Sequence, residues 1–255
     1  GFDIQKNVIR ALIYRELKTR VSKARFGVLG ILIEPLISLG IFILIFAFFR
    51  IRQTYGLDIV LFLGTGFILF RSFQSIITSS IYALEANNSL FYYQQVKPLD
   101  TVIARTIVEA FLNFIIYLIL FSISFLIKGT FRIDNFPLLF TSYFFLILYS
   151  LSVGIILMVA SSRYQWVKIV VPFLSRPLFF TSGVLFSINR IPQNLYPFLT
   201  WNPILHSIET ARHALSNDYI LNDQISILFV LKTSLITLTL SLFVYKNNFK
   251  LLTGK

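Results

Sequence analysis

Long apolar runs separated by short polar segments make up most of this chain. Six of the runs approach the roughly 20 residues that an α-helix needs to cross a bilayer. We therefore predict an all-α membrane protein that has six transmembrane helices and forms one membrane domain over residues 1–255. The predicted spans cover about residues 28–49, 59–84, 106–127, 136–161, 169–186 and 225–245.

The first segment, residues 1–26, follows a different pattern. Ile4, Val8 and Leu12 recur at helical spacing, while basic residues such as Lys6 occupy the remaining helix surface. This arrangement is typical of an amphipathic interface helix that lies on a membrane surface. The alternative is a cytosolic helix that packs against the protein itself.

The segment between the fifth and sixth spans, residues 187–223, is too apolar to be a fully solvated loop. Prolines interrupt it, and an amphipathic stretch follows from Ile204 to about Leu215. We predict short re-entrant or interfacial helices here, and we expect Asn202 to cap the last of them at its N-terminus.

Composition agrees with this pattern and removes several classes of function. Hydrophobic residues make up 56% of the chain and charged residues only 13%. We attribute the net charge of +12 to the excess of basic residues on the cytoplasmic side of a membrane protein and to contact with anionic lipid headgroups. Nucleic-acid binding is the weaker explanation, because no soluble basic domain is apparent. Cysteine is absent, which excludes disulfides, thiol catalysis and thiolate metal sites. The first residues also lack the pattern of a cleavable signal peptide.

Basic residues predict the orientation in the membrane. With the N-terminus inside, most of the 23 Lys and Arg residues fall in cytoplasmic segments. Such an excess of basic residues marks the cytoplasmic side of a membrane protein. We therefore expect both termini, and the polar connection between the second and third spans, to be cytoplasmic.

This connection has the sequence EANNSLFYYQQVKPLDTVIAR, and its first part, residues 85–100, is called the knob below. Aromatic residues occupy positions 91–93, and Asp100, which follows Pro98, has the position of a helix N-cap. So compact an aromatic surface suggests a docking site for a partner. The alternative is an interfacial loop whose aromatic side chains lie among the lipid headgroups.

Charged residues inside the predicted spans are costly in lipid, so each is expected to face a partner or a hydrated cavity. By helix geometry Glu34 and Arg71 lie at nearly the same depth, and Glu109 is slightly shallower. These groups form either a hydrated path or a structural Arg71–Glu34 ion pair. Arg176 is the better candidate for a path, because it lies between Pro172 and Pro177. These prolines leave backbone carbonyl groups without a hydrogen-bond donor, and such groups need a cavity or a neighbouring segment.

No constellation of catalytic residues stands out. The chain has neither a GxxxxGK[ST] phosphate-binding loop nor a GxSxG motif, so we expect no enzymatic activity from this chain alone. His206, Glu209 and His213 share one helical face, as metal ligands can. The polar face of an interfacial helix is the simpler explanation, and we predict no metal site.

The segments described above resemble those of the membrane subunit of the ABC-2-type exporters of capsular polysaccharide, the KpsM-like permeases of Gram-negative bacteria. The resemblance is most specific in EANNSLFYYQQVKPLDTVIAR, and it extends over essentially the whole chain. Two further matches are Glu34-Pro35 after Gly27, and Trp201-Asn202-Pro203 followed by His206, Glu209 and Arg212.

The resemblance implies a homodimer that forms the transmembrane half of an exporter, with two ATPase subunits docked beneath it. ATP and Mg would bind to those subunits, and this chain would hold no cofactor. The substrate would be a lipid-linked, usually anionic polysaccharide that moves from the cytoplasm to the periplasm across a Gram-negative inner membrane. An inner-membrane copolymerase and an outer-membrane channel would continue the route.

Three groups of candidate site residues follow from these considerations. The substrate path is expected to include Glu34, Arg71, Glu109, Tyr164, Trp166 and Arg176. The periplasmic exit is expected to include Trp201, Asn202, His206, Glu209 and Arg212. Coupling to the ATPase is assigned to Glu85, Leu90, Phe91, Tyr92, Tyr93, Lys97, Pro98 and Asp100.

Other functions also fit the pattern. Another ABC-2 exporter would carry O-antigen, teichoic acid or a small lipid. An ion-coupled secondary transporter would use Glu34 and Glu109 and would need no ATPase. A membrane-bound enzyme would rely on the face that carries His206 and Glu209.

Overall fold

A computed structural model describes residues 2–23, 28–48, 56–93, 95–128 and 133–253. All regular structure in these ranges is helical, so the fold is all-α. Short 3₁₀ helices cover Glu85–Tyr92, Ile188–Arg190 and Gln193–Leu195. The α-helices are α1 (Phe2–Lys23), α2 (Val28–Phe48), α3 (Ile59–Ile81), α4 (Pro98–Lys128), α5 (Phe136–Arg163), α6 (Val167–Thr181), α7 (Tyr196–Leu199), α8 (Pro203–Leu215), α9 (Ile227–Asn247) and α10 (Phe249–Thr253).

Four helices of the described ranges, α3, α4, α5 and α9, are long and apolar enough to cross a membrane. The chain is therefore a multi-pass membrane protein. α6 has only 15 residues. At 1.5 Å per residue it is about 23 Å long, less than the roughly 30 Å of a hydrocarbon core.

α3 is the central helix of the bundle, and it packs against α4, α5 and α8. Its apolar side chains Leu63, Ile68 and Leu69 are almost completely buried. Small residues let its neighbours approach closely, as is usual where helices pack inside a membrane. A Cβ atom on Gly66 would lie 2.8 Å from the carbonyl oxygen of Val184, so this close approach of the two segments requires glycine.

The two ends of the bundle hold different parts of the chain. At one end, called the knob end, a cluster that includes Ala83, Met158 and Leu252 joins the base of the knob to α5, α9 and α10. At the other end α8 lies between α3, α5 and α9, and almost all of its residues are buried. A smaller cluster that includes Ile188 and Leu205 joins α8 to the preceding turns.

α1 packs against the protein, and it also keeps an exposed basic surface. Its Leu12 side chain is buried, and the helix lies along α4. Lys6, Arg10 and Lys18 are exposed, as is the ring of Tyr14. One face of α1 therefore packs on α4, as the alternative for this segment foresaw, and the other face remains exposed.

Candidate functional site

The knob begins as a 3₁₀ helix whose base is fixed in the core. Ala83 is completely buried, and its carbonyl oxygen accepts a hydrogen bond of 2.6 Å from the Asn87 side chain. An arginine of α1, Arg15, donates to the same Asn87 side chain. The knob therefore projects from a rigid base, and α1 is tied to it directly.

The prediction that Asp100 is the N-cap of the following helix is wrong. α4 begins at Pro98, which suits the first helical position because a proline needs no hydrogen-bond partner for its nitrogen. Asp100 lies within the first turn, and its carboxylate accepts from the Lys97 backbone N–H at 2.9 Å. This is the reciprocal bond that an acidic residue makes at the third position of a capping box.

The aromatic residues of the knob differ in their surroundings. Tyr93 is 67% exposed. Leu90 and Phe91 are only half-exposed, and Phe91 lines an open cavity of about 250 Å³ beside the knob. The side chain of Tyr92 lies outside the described residues. Tyr93 is therefore the described aromatic side chain of the knob that is best placed to contact a partner.

The cavity beside Phe91 separates the knob from the start of α6. Its wall includes Ser161 and Gln165 from the end of α5, and Leu252 from α10. Lys168, in the first turn of α6, forms an ion pair across it with Glu85 of the knob. Of the other charged candidates here, Lys97 is exposed to solvent.

A network of four charged side chains joins α1 to α4. Glu16 contacts Arg105 at 3.5 Å, and Arg20 contacts Glu109 at 2.7 Å. Within α1, Glu16 and Arg20 are also paired at 3.2 Å. Glu109, predicted to belong to the substrate path, thus has an arginine partner. The other three residues were not predicted, although opposite charges four residues apart on both helices are a recognisable signal.

Arg71 does not form the ion pair with Glu34 that was considered as an alternative. Within the described ranges no contact of 4 Å or less joins the two charged groups, and Glu34 is exposed. Arg71 is half-buried in α3 and interacts at longer range with both Glu34 and Glu109. Its guanidinium therefore lies in a negative field without a direct carboxylate contact.

α6 presents a broad face that no other described element covers. Only Val167 and Ser175 of this helix are buried. Arg176 lies on the exposed surface, and the rings of Tyr164 and Trp166, whose centroids are 6.2 Å apart, precede the helix and are also exposed. Three candidates for the substrate path therefore belong to one short segment.

At the opposite end, Asn202 caps α8 as predicted. Its Oδ1 accepts from the Ile204 backbone N–H at 3.0 Å, and its Nδ2 donates to the Ser182 hydroxyl at 2.8 Å. The cap therefore also holds the turn that follows α6. The adjacent Trp201 is 79% exposed, so the two neighbouring residues face different surroundings.

The buried imidazole of His206 is suited to its neutral form. Nε2 lies 2.7 Å from the carbonyl oxygen of Thr200, and Nδ1 accepts from the Ser226 backbone N–H at 2.9 Å. A carbonyl requires a donor and an N–H requires an acceptor, so the proton is on Nε2. Burial lowers the pKa of His206, and this effect exceeds the opposing effect of the two hydrogen bonds.

Arg212 and Glu209 form a completely buried ion pair of 3.0 Å. Arg212 also donates to the carbonyl oxygens of Gly183 and Val184, each at 2.8 Å, and its guanidinium lies 3.7 Å from the ring centre of Phe62. The other oxygen of Glu209 accepts from the Tyr219 hydroxyl at 2.9 Å. His206, Glu209 and Arg212 are therefore gathered in the interior, where they fix α8 to its neighbours.

The hypothesis of a metal site receives no geometric support. Within the described ranges no group of three or more His, Cys, Asp and Glu residues could hold a metal ion. Glu209 is bonded to Arg212, and His213 lies 2.7 Å from the carbonyl oxygen of Tyr219. The three polar residues on one face of α8 thus bond to other groups of the protein and do not converge on one point.

Comparison with known proteins identifies the family. Residues 7–215 match the family model described as ABC-2 type transporter. The chain belongs to this family. The polysialic acid transport protein KpsM of Escherichia coli is 35% identical over 246 residues, which cover 96% of this chain and 95% of KpsM. The capsule polysaccharide export inner-membrane protein CtrC of Neisseria meningitidis serogroup A is 30% identical over 82% of this chain and 79% of its own length. BexB of Haemophilus influenzae, which has the same description, is 25% identical over 96% of this chain and 92% of BexB.

The ABC-2 family match extends from α1 to the end of α8. It therefore includes the knob, the exposed segment around α6 and the Arg212 cluster. α9 and α10 lie beyond the family match, but the similarity to KpsM covers nearly the whole chain. All three groups of candidate residues thus belong to the part that this chain has in common with the ABC-2 family.

Proposed function

We propose that this chain is the transmembrane subunit of an ATP-driven exporter that moves lipid-linked capsular polysaccharide from the cytoplasm to the periplasm. The observation that carries the proposal is the similarity to KpsM over 96% of the chain. ATP and Mg bind to two separate ATPase subunits, because the GxxxxGK[ST] loop that holds nucleotide phosphates is absent from these 255 residues. The polysaccharide continues through a copolymerase of the inner membrane and a channel of the outer membrane.

The substrate path lies between two copies of the chain, with the exposed face of α6 as part of its wall. An arginine in the membrane is costly unless it meets a partner or a hydrated cavity, and Arg176 lies on this otherwise apolar face. A hydrated path gives Arg176 both water and the carboxylates of an anionic polysaccharide. Tyr164 and Trp166, which directly precede the same helix, contribute aromatic rings that each carry a hydrogen-bonding group.

The remaining path and exit candidates have distinct roles in this proposal. Arg71 and Glu34, which lack a direct contact with each other, belong to the path, whereas Glu109 fixes α1 through Arg20. At the exit Trp201 is exposed and contacts the substrate. Asn202 and the buried residues His206, Glu209 and Arg212 hold α8 and the turns around it in place.

A genetic test addresses this function directly. The chain is produced with its own ATPase in a Gram-negative strain that lacks only its capsule-export permease, and polysaccharide at the cell surface is measured. We expect export to be restored, and to fail when the phosphate-binding lysine of the ATPase is replaced. Transport by vesicles without any ATPase would support an ion-coupled transporter instead. Export of O-antigen, teichoic acid or a small lipid would assign the chain to another type of ABC-2 exporter.

We expect both termini and the knob to be cytoplasmic in the inner membrane. The chain has no cysteine, so single cysteines can be introduced at the exposed positions Ser89 and Asn194 without background labelling. A membrane-impermeant thiol reagent added to intact spheroplasts should label position 194 and not position 89. Labelling of both positions after lysis is the control, and labelling of position 89 in intact spheroplasts would reverse the proposed orientation.

A further inference from the structure

α6 is attached to the rest of the protein mainly at its two ends. At the knob end, Val167 is buried and Lys168 is paired with Glu85. The side chain of Lys168 is only 17% exposed, whereas that of Glu85 is 62% exposed. The pair is a direct charged contact at the protein surface between the knob and the first turn of α6.

The other end of α6 is held by a fixed turn. Gly183 has a φ of +69°, a conformation that favours glycine. The carbonyl oxygens of Gly183, Val184 and Phe186 all accept hydrogen bonds from the buried Arg212. The preceding Ser182 hydroxyl accepts from Asn202. Backbone groups held by this many bonds cannot move independently of α8.

Between its ends α6 has few restraints. Ile169 is 76% exposed and Phe173 is 67% exposed, whereas in the middle of the helix Ser175 is buried and Val171 packs against the central core. Pro172 and Pro177 lie inside the helix, where each removes one backbone hydrogen bond and favours bending. The helix can therefore tilt or bend at a lower cost than the packed helices around it.

We propose that the Glu85–Lys168 pair transmits motion of the knob to α6, which pivots about the turn held by Arg212 and carries Arg176 with it. This inference rests on the proposed function, in which the ATPase acts on the knob. Arg176 lies eight residues beyond Lys168, or about 12 Å along a helix about 23 Å long. When α6 tilts as one unit about the turn, Arg176 therefore moves by roughly half the displacement of the knob end of the helix.

The packing of the other helices favours this route. α3 and α4 are continuous in sequence with the knob, but both contribute many side chains to the central core. Interiors are close-packed, so these helices resist small independent displacements. α6 instead has an uncovered face and an ionic contact with the knob, so a small knob displacement can move it.

The test measures export and ATP hydrolysis in the same vesicles, with the chain assembled with its ATPase. Lys168→Gln should leave assembly and ATPase activity intact, while the polysaccharide exported per ATP falls about fivefold, the upper range of the effect expected for a partly exposed ion pair. Glu85→Gln should lower the same ratio. The charge reversal Glu85→Lys with Lys168→Glu should restore most of the ratio. Lys168→Arg, which keeps the charge, should also export well.

Lys246→Gln is the matched control, because Lys246 is an exposed lysine near the knob end of α9. It should keep the export ratio of the unaltered chain. The proposal is wrong if Lys168→Gln keeps that ratio, if Lys168→Gln loses the ATPase, or if the charge reversal fails to restore export. Failure of the unaltered chain to export with its ATPase would instead contradict the proposed function.

Discussion

Arg212→Ala is expected to prevent the accumulation of folded protein in the membrane. Arg212 is completely buried, and it is the ion-pair partner of Glu209. Removing one member of a buried ion pair leaves the other charge uncompensated and typically costs about 3–5 kcal/mol. The free energy of unfolding of most domains is only about 5–15 kcal/mol. The carbonyl oxygens of Gly183 and Val184 would also lose a donor, which adds to the cost.

The measurements are the amount of protein in the membrane and its thermal unfolding in detergent. Arg176→Ala is the matched control, because Arg176 is an exposed arginine in α6. It should keep the unfolding temperature of the unaltered chain and lose export. Replacing both Arg212 and Glu209 by leucine should recover part of the stability, since no buried charge is then left alone. Normal stability with lost export in Arg212→Ala would instead indicate that Arg212 contacts the substrate.

The positions of the helices follow largely from hydrophobic patterning, and the differences have local causes. The run that predicts α4 starts at residue 106, whereas the helix begins at Pro98. Its first turn is polar and Asp100 is part of it, so hydropathy does not detect this turn. α6 ends at Thr181 rather than at 186, because Gly183 turns the chain. The arginine that holds this turn lies 29 residues further along the chain.

The candidate sites could be predicted only in part, because a periodic pattern identifies one face of a helix but not what covers it. His206, Glu209 and Arg212 do share a face of α8, but that face is turned into the protein. In a membrane protein both the interior and the surroundings of a helix are apolar, so composition does not distinguish them. Pairing of Arg20 with Glu109 likewise depends on how α1 lies on α4.

The second large effect is expected at the knob. Tyr93→Ala should release the ATPase from the purified complex, and export should stop with it. Tyr93 is 67% exposed at the end of the 3₁₀ helix, and an exposed aromatic ring is typical of an interface anchor. Such an anchor can contribute about 2 kcal/mol or more, so the affinity for the ATPase should fall about 30-fold. Phe91→Ala should act differently, because Phe91 lines the cavity beside the knob and its loss would loosen the knob itself.

Co-purification from detergent gives the amount of ATPase bound to each variant, and gel filtration shows whether the permease is still folded and dimeric. Tyr82→Ala is the control, because Tyr82 is a partly exposed tyrosine at the end of α3, just before the knob. It should keep the ATPase. If the Tyr93 ring instead lies among lipid headgroups, Tyr93→Ala would retain a full complement of ATPase and lose stability in the membrane. That result would contradict the docking role, since an interface anchor acts on the complex and leaves the permease folded.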